Sequence, residues 1–475
     1  MRLHTAAVTL VAATLAPFAL TAPAAHAAPA AATPYDFNGD GRTDLAIGAP
    51  DATVGGHPKA GAVSVVYGGA GGPKTSTRTL ITQNTSGVPG AAEAGDAFGA
   101  ALASADLNTD GYADLLIGTP GEDVTGDSSS GTAVVVWGSA SGLSGARSLF
   151  SFFDEDYDHY GQALTTGDFD DDGDLDVAVG STGPIVLSVV DGPITKSGTN
   201  NGGSGSQYDW WSSSPGVTHL TSADTPGDGS GPVVLHGLAA HTGDAATSLA
   251  DLRIGNYTDW LQRMPAGYVS AAGDIDRDGH PDFAVGNDRE TSVDAEGAKG
   301  GKVTVVYGGP EGLDPDRAPL VLTQDTAGVP GASETGDRFG SGVDLGDING
   351  DGYADLAVGT AGENSGTGAV TVLYGSASGL TTKGAQSFTQ NTAGVPGASE
   401  TGDLFGTRVV LTDHTGDGRA DLSLSAPGEN SGDGSVWSLR GSATGLTTTG
   451  AISFGTGTTG VSATGTPHLG TVLGG

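Results

Sequence analysis

The chain has no cysteine among its 475 residues, and 19 lysines and arginines stand against 55 aspartates and glutamates. The first absence removes disulfides as a source of stability, so the fold must be held by packing and other ligands. The second gives a formal net charge of −36. That excludes nucleic acid as a partner, because no cationic surface is available to release the counterions of a phosphate backbone. Long apolar runs are also missing. After the N-terminus nothing approaches the ~20 apolar residues of a spanning helix, so no transmembrane anchor is expected. G-x-S-x-G, H-E-x-x-H and a Gly-rich phosphate loop opening a helix are absent too.

Arg2, the apolar stretch Ala6 to Leu20 and Ala25-His26-Ala27 have the form of a secretory signal peptide with its small-x-small cleavage site. The expected organisation is a signal peptide over residues 1–27, a short linker over 28–34 and one repeat domain over 35–475, secreted and extracellular. Glycine is abundant, at 83 residues, and spread throughout. Short Val/Leu/Ile runs between Gly-rich turns point to an all-β protein.

Internal repeats organise the chain. TQNTSGVPGAAEAGDAFGAAL (82–102), TQDTAGVPGASETGDRFGSGV (323–343) and TQNTAGVPGASETGDLFGTRV (389–409) are near copies, and each runs into an acidic loop. Loops of the form D-x-[D/N/T]-x-D-G-x-x-D begin at Asp36, Asp106, Asp168, Asp274, Asp347 and Asp413. They open like EF-hand loops, but position 12 is Ile47, Ile117, Val179, Val285, Val358 or Leu424 where an EF-hand needs a bidentate Glu. The Asp at position 9 therefore takes over that role, which frees position 12 for the core. Side-chain oxygens come from positions 1, 3, 5 and 9, a carbonyl comes from position 7, and Gly at position 6 permits the turn.

The expected ligands, with the carbonyl donor last in each set, are Asp36, Asn38, Asp40, Asp44 and Arg42 in the first loop. They are Asp106, Asn108, Asp110, Asp114 and Tyr112 in the second, and Asp168, Asp170, Asp172, Asp176 and Asp174 in the third. The fourth has Asp274, Asp276, Asp278, Asp282 and His280; the fifth has Asp347, Asn349, Asp351, Asp355 and Tyr353. The sixth has Asp413, Thr415, Asp417, Asp421 and Arg419, with a weaker ligand at position 3. Packing so many carboxylates without a cation would force some to protonate. About five or six calcium ions are expected, since calcium prefers oxygen cages and magnesium keeps more of its water.

The loops are evenly spaced except between Asp168 and Asp274. There DTPGDGSGPVVLHG, from Asp224, keeps Asp228-Gly229 and Leu235 but has Pro226 and Pro232 at ligand positions. It is read as a metal-free unit in a degenerate blade around 214–263. Each unit reads as four strands, and seven radially repeated four-stranded sheets make a β-propeller. Leu469-Gly470 falls where Phe405-Gly406 stands in the preceding unit, just before an acidic loop would begin. Residues 469–475 should therefore complete the blade containing Asp36 and close the ring.

These units resemble the FG-GAP repeats of integrin α-subunit N-terminal propellers and their bacterial secreted relatives. The resemblance rests on Phe98-Gly99, Phe339-Gly340 and Phe405-Gly406, on the acidic loops, and on Gly48-Ala49-Pro50 with its variants. It implies a seven-bladed propeller with calcium on its β-hairpin loops and, in integrins, an upper face that recognises extracellular ligands. The integrin stalk, membrane span and inserted adhesion domain have no counterpart here. The expected function is binding of an extracellular protein or glycan by a monomer. The alternative is a secreted hydrolase or lyase acting on an extracellular polymer or lipid, since some FG-GAP repeats accompany phospholipase or polysaccharide-modifying domains.

Three other features compete for attention. Asp209-Trp210-Trp211 could stack a sugar ring or pack under an outer strand, the commoner fate of aromatics. FDEDYDHYG looks like an acidic catalytic cluster, but Glu155 and Asp158 align with Glu334 and Asp337 of the repeat and read as scaffold. His280 offers its backbone at position 7, so its ring is expected in solvent.

Overall fold

The structure is a computed structural model that describes residues 32–124, 128–149, 158–183, 185–198, 202–206, 215–223, 231–252, 261–310 and 312–475. Seven four-stranded antiparallel sheets follow one another as the blades of a propeller. Blade 1 contains Leu45–Ala49, Ala62–Val66 and Arg78–Ile81, and its inner strand is Val472–Gly474 from the far end of the chain. Blade 2 runs from Ala101–Ala105 to Ala146–Leu149, blade 3 from Asp158–Gly167 to Gly202–Ser206, and blade 4 from His219–Ser222 to Leu261–Arg263. Blades 5, 6 and 7 start at Val269–Gly273, Phe339–Gly346 and Val409–Thr412. Each inner strand packs against the next, and Val472–Gly474 touches those of blades 7 and 2.

The second strand of each blade is an apolar run because both its faces are covered. In blade 1, Leu45, Ile47 and Ala49 pack towards Val436 and Phe454 of blade 7. Ala46, between them in sequence, belongs to a cluster with Phe98, Leu115 and Ile117 of blade 2. Alternate side chains of one strand thus feed two different inter-blade cores. The position-12 residues Ile47, Ile117, Val179, Val285, Val358 and Leu424 are all buried there.

The seams depend on glycine. Gly61, Gly131, Gly301 and Gly368, each just before a third strand, form bridges with Phe98, Tyr160, Phe339 and Phe405 of the following blade. A Cβ on Gly368 would lie 2.1 Å from the Phe405 carbonyl oxygen, and one on Gly131 would lie 2.4 Å from the Tyr160 nitrogen. At the seam between blades 7 and 1, Leu469 takes the aromatic's place against Gly434, where a Cβ would meet its carbonyl oxygen at 2.4 Å.

Two outcomes test this packing. Gly368 has φ +81°, so Gly368→Ala combines strain with a backbone clash. It should destabilise by about 2 kcal/mol or more in denaturant titration. Gly457→Ala, where nothing lies within 4 Å, should stay within about 0.5 kcal/mol. Deleting residues 466–475 removes both Leu469 and the inner strand of blade 1. That protein should melt well below the full chain; equal melting temperatures would show that this pairing contributes nothing to stability.

Candidate metal-binding loops and central channel

The six acidic loops share one backbone conformation. Position 6 is a left-handed glycine in every case, from Gly41 at φ 79° to Gly173 at φ 90°. Position 4 is left-handed as well, even where it is Thr109, Asp171 or Arg277. Those two turns aim successive N–H groups inward. The position-1 carboxylate collects them: Asp36 accepts from Asp40 N at 3.1 Å and Gly41 N at 2.9 Å. Asp413 accepts from Gly416, Asp417 and Gly418. Position 3 accepts from position 5 in the first, third and fourth loops, as between Asn38 and Asp40 at 3.0 Å, whereas Asn108 of the second donates its amide N–H to Asp114 at 2.8 Å. Position 5 accepts from position 7 throughout. In the sixth loop the Thr415 hydroxyl instead donates to Asp413 at 3.1 Å.

The position-9 aspartate has a second task that the motif does not announce. Asp44 accepts the Phe37 N–H through Oδ2 at 3.1 Å and the Gly68 N–H through Oδ1 at 2.8 Å. It therefore ties the start of the loop to the end of the third strand. Asp114, Asp176, Asp282 and Asp355 repeat the arrangement with Leu107 and Gly138, Phe169 and Gly192, Ile275 and Gly308, and Ile348 and Gly375. Asp421 does so with Thr415 and Gly441. Burial pushes the first five up to about 7 and Asp421 to about 6, against the pull of these N–H groups. Neighbouring loop carboxylates push the same way; a divalent cation among them would act in the opposite direction.

Neighbouring loops are stitched together. The position-8 N–H of one loop donates to the position-1 carbonyl of the loop before it. The bonds are Ala354 to Asp274, Ala420 to Asp347, Thr43 to Asp413 and Ala113 to Asp36, at 2.8 to 3.2 Å. This series links blades 5, 6, 7, 1 and 2. Position 8 of the fourth loop is Pro281, which has no N–H to extend it towards blade 4.

Two loops bring three carboxylates together. One oxygen each from Asp168, Asp170 and Asp172, and likewise from Asp274, Asp276 and Asp282, lie within 4.8 Å of one another. Ligands 2.3–2.6 Å from a shared calcium are at most about 5 Å apart, so both trios fit such an ion. Asp168 Oδ1 is buried and without a hydrogen-bond partner. No other trio of acidic or histidine side chains is this close among the described residues. Basic side chains lean on several loop carboxylates: Lys196 on Asp110 at 2.7 Å and Arg419 on Asp417 at 3.4 Å, and Arg317 on Asp276 of the second trio.

The inner strands enclose a central cavity of about 290 Å³. It opens on the loop side into a larger hollow of about 1150 Å³ beside Asp168, Asp171 and Asp172. Inside it, Asp344 accepts the N–H groups of Leu345 at 3.0 Å and Leu411 at 2.6 Å, and burial raises it to about 7. In blade 4, His236 is fully buried. Its Nδ1–H donates to the Gly267 carbonyl at 2.9 Å, and Nε2 lies 2.8 Å from the Ser270 hydroxyl oxygen. Burial lowers its pKa to about 4, so it is a neutral latch between blades 4 and 5. Its one sequence signal is a histidine inside the apolar run PVVLHGL.

The remaining sequence candidates divide. Pro232 opens a strand of blade 4, Pro232–Leu238, while Pro226 and Asp224 lie outside the described residues. Trp210, Trp211 and Glu155 also lie outside them. Asp158 is an exposed residue at the start of a blade 3 strand. His280 is half-buried beside Gly308.

Comparison with known proteins agrees with this geometry. The FG-GAP repeat model matches residues 28–66, 98–136, 266–306, 339–373 and 405–439. Five FG-GAP repeats are therefore present, in blades 1, 2, 5, 6 and 7. These are the blades joined by the loop-to-loop bonds. Phosphatidylinositol-glycan-specific phospholipase D of Rattus norvegicus is 32% identical over 192 residues, covering 39% of this chain and 22% of that one. The Bos taurus protein of that name is 30% identical over 153 residues, covering 32% and 18%. The chain thus spans about a fifth of the length of these relatives. A solved propeller described as the structure of Dos1 propeller aligns over 68% of this chain and 66% of that one, with 11% identity and a TM-score of 0.36. Among the described residues no helix is long and apolar enough to cross a membrane.

The strut reading of position 9 makes a separable prediction. Asp355→Ala leaves the Ile348 and Gly375 N–H groups buried without acceptors. In chelator, where no metal contributes, it should still destabilise by roughly 2–5 kcal/mol. Asp351→Ala, in the exposed part of the same loop, should cost under about 1 kcal/mol there. Equal, small losses would reduce position 9 to a metal ligand alone.

Proposed function

We propose that the protein is a secreted, calcium-binding propeller that serves as an extracellular binding module for a protein or glycan. The observation that carries this reading is the pair of carboxylate trios at Asp168 and Asp274, set in a loop conformation that four further loops share. The position 1, 3, 5 and 9 side chains, with the position-7 carbonyls, would hold the ions. Bound calcium would neutralise carboxylates that otherwise repel one another and would rigidify the hairpins. Because each shell comes from nine consecutive residues, the ions are structural. Secretion is supported by the form of residues 1–27 and by the first repeat match, which begins at residue 28.

A second reading, a hydrolase acting on an extracellular polymer or lipid, draws on the similarity to phosphatidylinositol-glycan-specific phospholipase D. Assay of the purified chain on phosphatidylinositol-glycan decides it: turnover establishes the hydrolase. Without turnover, a glycan and extracellular-protein array identifies the ligand of the binding module.

Calcium should raise the melting temperature, by about 2.7 kcal/mol of stability per independent site when its concentration is 100-fold above the dissociation constant. Chelation should reverse this. Asp172→Ala should lose one equivalent of calcium by elemental analysis, along with part of the gain. Identical melting curves in calcium and in chelator would overturn the calcium assignment.

A further inference from the structure

The inner strand Phe339–Gly346 has Arg338 just before it and the acidic loop from Asp347 just after it. The two mouths of the channel are thus chemically opposite. The mouth away from the loops is a cavity of about 360 Å³ lined by Arg289, Arg338 and Arg408, with Asp288, His219 and Tyr268. Three of the chain's 19 basic residues meet there.

Asp288 is buried and organises two of them. Arg338 approaches its Oδ2 through Nε at 2.8 Å and Nη2 at 2.7 Å, and Arg289 Nε approaches Oδ1 at 3.2 Å. Arg289 also lies over the Tyr268 ring at 5.1 Å. A second carboxylate, Asp294, sits behind Tyr268 and is engaged by its hydroxyl at 3.1 Å and by Asn287 at 3.2 Å. Arg408 has no carboxylate partner among the described residues. Its Nη1 donates to the carbonyls of Ser341 at 3.2 Å and Thr407 at 3.4 Å. Burial, with His236 and Arg408 nearby, keeps His219 neutral, so it adds no charge of its own.

These residues are also departures from the repeat. Arg408 stands where blades 2, 3 and 6 have Ala101, Ala163 and Gly342. Asp288 stands where the equivalent strand ends carry Pro50, Pro120, Ala361 and Pro427, and Arg289 replaces Asp51, Gly121, Gly362 and Gly428. Arg338 replaces Ala97, His159, Leu404 and His468. Scaffold demands would place the same residue types in every blade. Four substitutions from three blades meeting in one cavity instead suit a ligand.

We propose that this channel mouth is an oxyanion-binding site that takes the single carboxylate or phosphate of a small ligand, such as a sugar acid or a sugar phosphate. Arg338, already fixed by Asp288, and the unpaired Arg408 supply planar N–H donors that match either group. Asp288 preorganises Arg338 and Arg289 and offsets the repulsion between their like charges. A highly charged polymer is disfavoured, because beyond this mouth it would run over a surface whose net charge is strongly negative. The inference deepens the binding-module reading and rests on it.

The test is calorimetric titration of the full chain in calcium at low salt with glucuronate and glucose 6-phosphate, with glucose as the neutral comparator. An acid should bind at roughly millimolar strength and glucose should not. Arg338→Gln and Arg408→Gln should each weaken the acid about tenfold or more, while the exposed Lys383→Gln should leave it unchanged. Binding of both acids, or of one alone, supports the site; a single binder identifies which oxyanion it takes. If Arg408→Gln lowers the melting temperature, Arg289→Gln, whose guanidinium is half exposed, is read instead and should weaken binding about threefold or more. Acids and glucose binding alike, no binding of either acid, or affinity untouched by these variants would overturn the proposal. A ligand found by array whose affinity survives Arg338→Gln and Arg408→Gln would keep the binding module and remove this site from it.

Discussion

Each loop-bearing blade depends on one buried carboxylate. The position-9 aspartate is shielded from water and accepts two backbone N–H groups that no strand ladder could serve, one at the loop's start and one where the third strand ends. Buried donors must be satisfied, so this residue fixes the angle at which the hairpin leaves the sheet. That angle places the acidic loop against its neighbour, allows the loop-to-loop bonds, and leaves position 12 facing the core. A candidate metal loop and a structural strut are thus one object. A charged group this deep is tolerable because the N–H groups and any ion in the loop share its stabilisation.

The fold was legible because it is written several times over. Six acidic loops with apolar residues at position 12 fixed the hairpin, and the shortened final unit pointed to the strand at Val472–Gly474. Glycine was harder to read. Abundant glycine suggests turns, yet Gly61, Gly131, Gly301 and Gly368 are small because a neighbouring blade's backbone occupies the space of their side chains. Nothing within one unit reveals a contact made by the next. For the same reason the double duty of Asp355, and the His236 latch where blade 4 lacks a normal loop, emerged only once the blades were side by side. The arginines at 289, 338 and 408 are far apart in sequence, and each looks like an ordinary surface charge until the ring gathers them.

The two mouths of the channel are lined with opposite charge. Carboxylates crowd one end, and three arginines sit at the other. In a chain this acidic, such a local reversal acts against the long-range field and so works at short range, inside a Debye length of about 8–10 Å.

Among the described residues, the bonds between neighbouring loops run from blade 5 through blades 6, 7 and 1 to blade 2. Mechanically this makes a braced arc of five blades. The position of the chain's ends is then almost incidental to the architecture. A circular permutant with the native ends joined and new ones opened between His241 and Thr242, at an exposed turn of blade 4, would cut none of the bracing. The same cut between Gly416 and Asp417 would break the arc in its middle.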